Sequence, residues 1–197
     1  MFFSSAIDRN EAEPVRKVKS DNVLVKPAPS FDEPIEMLKA CHERIAAQCS
    51  TLEKLAAHLL SHGADEQAQQ ASKNIMRYFD VAGPHHHADE EDDLFPLLNE
   101  TARRRGSPVA ERIESLLGEH RELEAAWAQV RLVLADIAHG LATPLERGLV
   151  DRFVNAYRNH MAFEESEILP LAQAWLDHRQ LAKLSAAMVA RRTVKPK

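Results

Sequence analysis

Glycine is scarce in this chain: six residues among 197, against ten prolines, two cysteines and 6% aromatic residues. Gly63, Gly106 and Gly140 stand at breaks between long segments, and no glycine-rich loop is present to cradle a nucleotide phosphate. The two cysteines, Cys41 and Cys49, lie eight apart in one helical pattern, about two turns from each other, and cannot easily bridge. With no CxxC, a thiolate zinc site is not expected, and both read as buried packing residues. Surplus positive charge is missing too. Lys and Arg number 25 against 30 Asp and Glu, a formal charge of −5, so there is no electrostatic case for nucleic acid. No apolar run approaches the roughly 20 residues that span a bilayer. The opening MFFSS is too short for a signal-peptide core and runs on into acids, which makes the cytoplasm the expected compartment.

What remains is helix. Residues 1–30 are polar, of mixed charge and broken by Pro14, Pro27 and Pro29, which predicts a flexible tail. Residues 31–177 carry four long amphipathic patterns with short breaks. Asp32 is the expected cap of the first and Pro34 suits its opening turn. The first seam reads Ile35, Leu38, His42, Ile45, Cys49, Leu52, Ala56, Leu59, and the second Ile75, Phe79, Ala82, His86, Glu90, Leu97. The third reads Val109, Ile113, Leu116, His120, Leu123, Trp127, Val130, Leu134, Ile137, and the fourth Leu149, Phe153, Ala156, His160, Phe163, Leu171, Ala174. Alternating steps of three and four predict an all-α, antiparallel, up-down four-helix bundle. A short helix from about Asp177 to Val189 and a loose basic end, RRTVKPK, are expected within 178–197.

Each seam contains one histidine. A lone imidazole on an apolar face is ordinarily a hydrogen-bonded core residue. Four at matching heights converge on the bundle axis, and leaving them unsatisfied there costs about 1–3 kcal/mol each. Two are followed four residues later by the first of two consecutive glutamates. HHADEEDDLFP pairs His86 with Glu90, and HMAFEESEILP pairs His160 with Glu164, each spacing placing both side chains on one helix face. Both stretches have the form HxxxEE, two further residues, two apolar residues and proline. Imidazoles and carboxylates inside a helical bundle suit a pair of iron ions, and histidine with carboxylate accommodates manganese or zinc as well. Two registers remain open in the second pattern, because His87 and Glu91 have the same spacing as His86 and Glu90. His87 is also open as a further ligand. Gly83-Pro84 can kink that helix or start a new one.

With LKACHERI on the first pattern, HHxxEExxLFP on the second, EHREL on the third and HxxxEExxxLP on the fourth, the chain resembles the hemerythrin-like, HHE cation-binding domain over about 31–177. The resemblance implies an oxo- or hydroxo-bridged non-haem di-iron centre with His42, His86, His120 and His160 as imidazole ligands and Glu90 and Glu164 as bridging carboxylates. It departs from the oxygen carriers at the position four after His120, which is Glu124 rather than histidine. Glu124 is either a ligand or a solvated rim residue; if neither it nor His87 binds, two coordination positions are open. Asp89, Asp92 and Asp93 are expected to face water or orient ligand imidazoles, with Glu165 and Glu167 in a similar position and Glu167 near the His160 face. His58, His62, His85, His139 and His178 are expected outside the site.

Three functions follow for comparison. One is a cytoplasmic di-iron protein that binds or senses dioxygen, another diatomic molecule or a peroxide, or handles iron. Another is a di-iron redox enzyme reducing nitric oxide or peroxide, or repairing iron centres. The third is a metal-independent interaction bundle. No nucleic-acid or membrane partner is expected, and the sequence does not specify protein partners or oligomeric state.

Overall fold

A computed structural model describes residues 30–193, so the expected tail over 1–30 falls outside the described residues apart from Ser30. Among the described residues there is no strand. The helices are α1 (Pro34–His62), α2 (Glu66–Phe79), α3 (Ala82–Ala88), α4 (Phe95–Arg105), α5 (Val109–Ala138), α6 (Arg147–Phe163), α7 (Leu169–Trp175) and α8 (His178–Thr193). Two π-helical turns, Asp89–Leu94 and Glu164–Ile168, join α3 to α4 and α6 to α7 without a break.

Local chemistry sets these boundaries. Pro34 opens α1, where its missing N–H leaves nothing unpaired, and this start leaves Asp32 one position short of capping. Asp32 instead turns back onto Ser30, its N–H donating to Ser30 Oγ at 3.2 Å. At α2 the Asp65 carboxylate accepts the Ala68 N–H at 2.8 Å, a regular N-cap. The second sequence pattern is interrupted at Asp80–Val81, and a new helix begins with Pro84 in its first turn, where no donor is needed. At the end of α4, Gly106 adopts φ 65, the left-handed conformation that favours glycine.

The π turns share a cause. In each, a backbone N–H reaches five residues back: Phe95 to Glu90 O, and Leu169 to Glu164 O. A proline follows at once, Pro96 or Pro170, which has no N–H to give and whose ring crowds the carbonyl four residues earlier. The extra residue rotates everything downstream by about 100°. The fourth pattern therefore does not continue through Leu171 and Ala174: Ile168, Leu169 and Ala172 are buried instead, while Ala174 is exposed. In the second pattern Leu94 and Leu98 take the most buried positions for the same reason.

α2 packs against α1 and α5, and α6 against α5 and α1, which closes a ring of helices. Its interior divides into two apolar cores. One gathers Leu38, Leu94, Phe95, Leu116 and Ile168, and is closed by Leu184 and Met188 of α8. The other gathers Ile45, Phe79, Leu123, Phe153 and Tyr157. Along α1, His42 lies between Leu38 of one core and Ile45 of the other; along α5, His120 lies between Leu116 and Leu123. The buried histidines and glutamates thus form a polar layer between two dry blocks.

α8 runs four residues beyond the expected end at Val189, and Arg191 and Arg192 of the expected loose terminus are pinned rather than free. Both reach Asp89, which is fully buried instead of facing water. Arg192 Nη2 donates to Asp89 Oδ2 at 2.6 Å, and Arg191 donates to Asp89 Oδ1 and, at 2.6 Å, to Asp93 Oδ2. No helix is long and apolar enough to cross a membrane among the described residues.

Candidate metal centre

The polar layer resolves into two sets of four side chains. His42, His86, Glu90 and Glu164 form one; Glu90, His120, His160 and Glu164 form the other. In each set the donor atoms lie within 4.8 Å of one another, and all six residues are buried. The glutamates belong to both sets, one oxygen to each. Glu90 Oε1 is 3.6 Å from His86 Nε2 and 4.0 Å from His42 Nε2, while its Oε2 is 3.6 Å from His120 Nε2. Glu164 Oε2 is 3.2 Å from His42 Nε2, and its Oε1 3.3 Å from His160 Nε2. Each carboxylate therefore spans the two histidine pairs.

The far side of three imidazoles is fixed by other carboxylates. His42 Nδ1 meets Glu165 Oε1 at 2.9 Å, His120 Nδ1 meets Glu91 Oε1 at 2.5 Å, and His160 Nδ1 meets Glu119 Oε2 at 2.9 Å. A carboxylate only accepts, so each Nδ1 carries the proton and each Nε2 presents a bare lone pair to the interior. The Nε2 atoms of His120 and His160 are then 3.1 Å apart with lone pairs opposed. His42 Nε2 likewise faces carboxylate oxygens. That arrangement is repulsive unless a cation, a proton or a metal ion, lies among the donors.

Apart from a proton shared between His120 and His160, hydrogen bonding supplies no partner within the layer. Both oxygens of Glu90 and of Glu164, both nitrogens of His86 and the Nε2 of His42 are buried without a hydrogen-bond partner, the close contacts of Glu164 lying off the bonding directions. Burial, then the neighbouring Glu164 carboxylate, pushes Glu90 well above the usual carboxylate range. For Glu164 burial acts in the same upward sense but is outweighed by His160 and His42, and its carboxyl is held low. Burial, then His42, holds His86 far below the ordinary imidazole value; burial, then His160, brings His120 down to about 4. For His160 the downward effect of burial is overcome by Glu164 and Glu119, leaving it raised. One acid reluctant to ionise beside one held ionised, among mostly neutral imidazoles, is a donor set suited to a divalent ion with nitrogen and oxygen ligands. A pair of such ions fits it, two imidazoles and two carboxylate oxygens each.

Of the residues singled out from sequence, His42, His86, Glu90, His120, His160 and Glu164 come together. The alternative pair does not. Glu91 turns outward to hold His120 from behind, and His87, though buried, belongs to neither set. Glu124 is exposed, because Leu123 takes the inward position on that turn of α5. Glu167, inside the second π turn, also turns out and accepts from Arg112 at 3.0 Å. His58, His62, His85, His139 and His178 lie outside both sets; His58 instead pairs with Asp65 at 3.0 Å.

Sequence reasoning missed Glu119, which supports His160, and left Glu165 undecided. The doubled glutamate was the available signal: in each HxxxEE the first acid faces the layer and the second orients a histidine on another helix.

The hemerythrin HHE cation-binding domain matches residues 33–172. An uncharacterized protein of Haemophilus influenzae is 31% identical over 166 residues, which cover 84% of this chain and 94% of that one. With the paired histidine–glutamate sets on four helical segments, the chain belongs to the hemerythrin family in its HHE cation-binding form.

Proposed function

We propose that this protein holds two iron ions in the polar layer and offers them to a small exogenous ligand: dioxygen, another diatomic molecule or a peroxide. The observation that carries the reading is the division of each buried carboxylate, Glu90 and Glu164, between two histidine pairs. In this reading α1, the α2–α4 segment, α5 and the α6–α7 segment run antiparallel and up-and-down, and the protein works in the cytoplasm.

A count supports exchange at the site. Two six-coordinate ions offer about twelve positions. Four imidazoles and four carboxylate oxygens fill eight and a shared solvent bridge two more, so about two remain for ligands from outside. Bound iron would supply those exchangeable positions and access to two oxidation states. The chain's own residues do the rest. Glu91, Glu119 and Glu165 keep three imidazoles in the tautomer that points Nε2 inward. The apolar cores above and below exclude bulk water from the layer.

The open positions also favour a second reading, turnover of peroxide or nitric oxide or the repair of iron centres, over carriage alone. Consumption of peroxide or nitric oxide well beyond the iron present would establish turnover; stoichiometric uptake would establish binding. Manganese and zinc suit the same donors, so metal identity is tested first. Protein expressed with added iron is expected to carry about two irons per chain, with absorption between about 300 and 400 nm for an oxo-bridged ferric pair. Glu90→Ala is expected to lose both. One zinc, or no metal, would return the protein to the third reading, a metal-independent interaction bundle.

A further inference from the structure

His87 follows His86 directly and is buried, 5% exposed, though slightly less deeply than the proposed ligands, yet neither of its ring nitrogens has a partner. The other four imidazoles of the layer each belong to a donor set. His87 does not. An unpaired buried polar group costs about 1–3 kcal/mol, so the side chain is retained against a real penalty. Alanine or leucine would fill the place without it.

The ring's orientation shows what it can reach. His87 stacks on His120, with centroids 4.0 Å apart and planes 9° from parallel. An ion held by His120 would sit on the Nε2 lone pair, which points along the plane of the His120 ring. Stacked rings in van der Waals contact keep their planes about 3.5 Å apart. The His87 nitrogens are therefore out of bonding reach of that ion. They are at the height where one intervening atom, about 2 Å from the ion and about 2.8 Å from a nitrogen, would join the two. Tyr157 lies 6.1 Å from the His87 ring at 24°, and Phe95 stacks along His120 at 6.0 Å, so the surroundings are aromatic and dry. A neutral imidazole keeps one N–H to donate, whichever of the two unpartnered nitrogens carries it.

We propose that His87 is not a metal ligand but the hydrogen-bond donor to a small oxygen- or nitrogen-ended ligand bound at the His120–His160 ion. Peroxide and dioxygen are the chemical class it fits: ligands with a terminal atom that accepts a hydrogen bond, short enough for the space beside the His120 ring. A dry wall with one donor discriminates against ligands that cannot accept. This rests on the two-iron reading above and names the residue that would recognise what that site takes.

The test uses iron-loaded, full-length protein with azide as the probe, and compares wild type with His87→Leu and His87→Gln. Iron per chain and azide affinity, from absorption titration, are measured on each. The expected result is about two irons in all three, azide binding weakened about tenfold or more in His87→Leu, and partial recovery in His87→Gln, which keeps an N–H. Should His87→Leu fail to fold, His87→Met provides the unbranched, donor-free side chain. Equal azide affinity in wild type and the donor-free variant would overturn the proposal. So would a fall to about one iron per chain in both variants, which would make His87 a ligand. Wild type carrying no iron would instead remove the two-iron reading, and the wild-type sample shows this before any variant is compared.

Discussion

Replacing Arg191 and Arg192 together with alanine strands a carboxylate. Asp89 is fully buried and takes hydrogen bonds from both guanidiniums, with Arg192 Nη1 and Nη2 at 3.1 and 2.6 Å. The arginines are themselves part-exposed, so the attraction is partly screened; the cost is set by the acid left behind. Breaking a buried ion pair from one side costs about 3–5 kcal/mol. A domain of this kind holds about 5–15 kcal/mol in total, so the double variant gives up about a fifth of its stability or more. With a urea dependence of about 2 kcal/mol per molar, the midpoint should fall by roughly 2 M at pH 7. Adding Asp89→Ala to the double variant should recover part of that loss, because the unpaired charge is gone. A loss under about 1 kcal/mol, or no recovery in the triple variant, would refute the reasoning and mean that Asp89 reaches water once α8 is loosened.

The carboxylates behind the histidines should matter to metal rather than to folding: Glu91→Ala, Glu119→Ala or Glu165→Ala is expected to weaken metal binding about 10–100-fold in chelator competition with little change in melting temperature. Glu90→Gln should move stability and metal in opposite directions. Because the Glu90 value is raised by burial and then by Glu164, its stabilising effect is full below the unfolded carboxyl value of about 4.3 and is lost as pH rises through the folded value. The metal-free Gln variant should therefore unfold later than wild type at alkaline pH while failing to retain two ions; lower stability in metal-free Glu90→Gln would contradict this. His120 works in the other direction. Held at about 4 by burial and then by His160, against about 6.5 unfolded, it gives stability that is full above about pH 6.5 and is lost as pH falls toward 4, on the order of 3 kcal/mol. Metal-free His120→Leu, followed by circular dichroism, should show a smaller acid loss than wild type over that window.

Helix periodicity carried the fold well where the helices are regular. The third seam reads true from Val109 to Ile137, with only Trp127 partly exposed, because α5 is an unbroken α-helix. It failed after the second HxxxEE, where a count at 100° per residue passes over a π turn and places Leu171 and Ala174 where Ile168 and Ala172 belong; after the first, Leu97 is buried as expected, though less deeply than Leu94 and Leu98. The prolines at 96 and 170 mark those turns in the sequence, but a proline reports a distortion without stating how many residues it absorbs. The histidines and first glutamates of the site were legible because burying so many polar groups on apolar faces demands a reason. Asp89 was not: its partners are about 100 residues away on a helix that looked like a loose end, and no local pattern links them. Glu119 was missed on the same ground, since its target, His160, lies on another helix.

The support behind the histidines passes from segment to segment in one direction. Glu91 beside α3 holds His120 on α5; Glu119 on α5 holds His160 on α6; Glu165 beside α6 holds His42 on α1, whose ring meets His86 of α3 edge-on at 4.9 Å. None of these three histidines takes its carboxylate from its own helix, and the contact between the His42 and His86 rings joins the ends of the chain of support. An ion leaving one half would release a ring whose neighbour on the same helix steadies the next. Filling and emptying should accordingly be cooperative, with two ions or none as the populated states and the half-loaded protein scarce at any metal concentration.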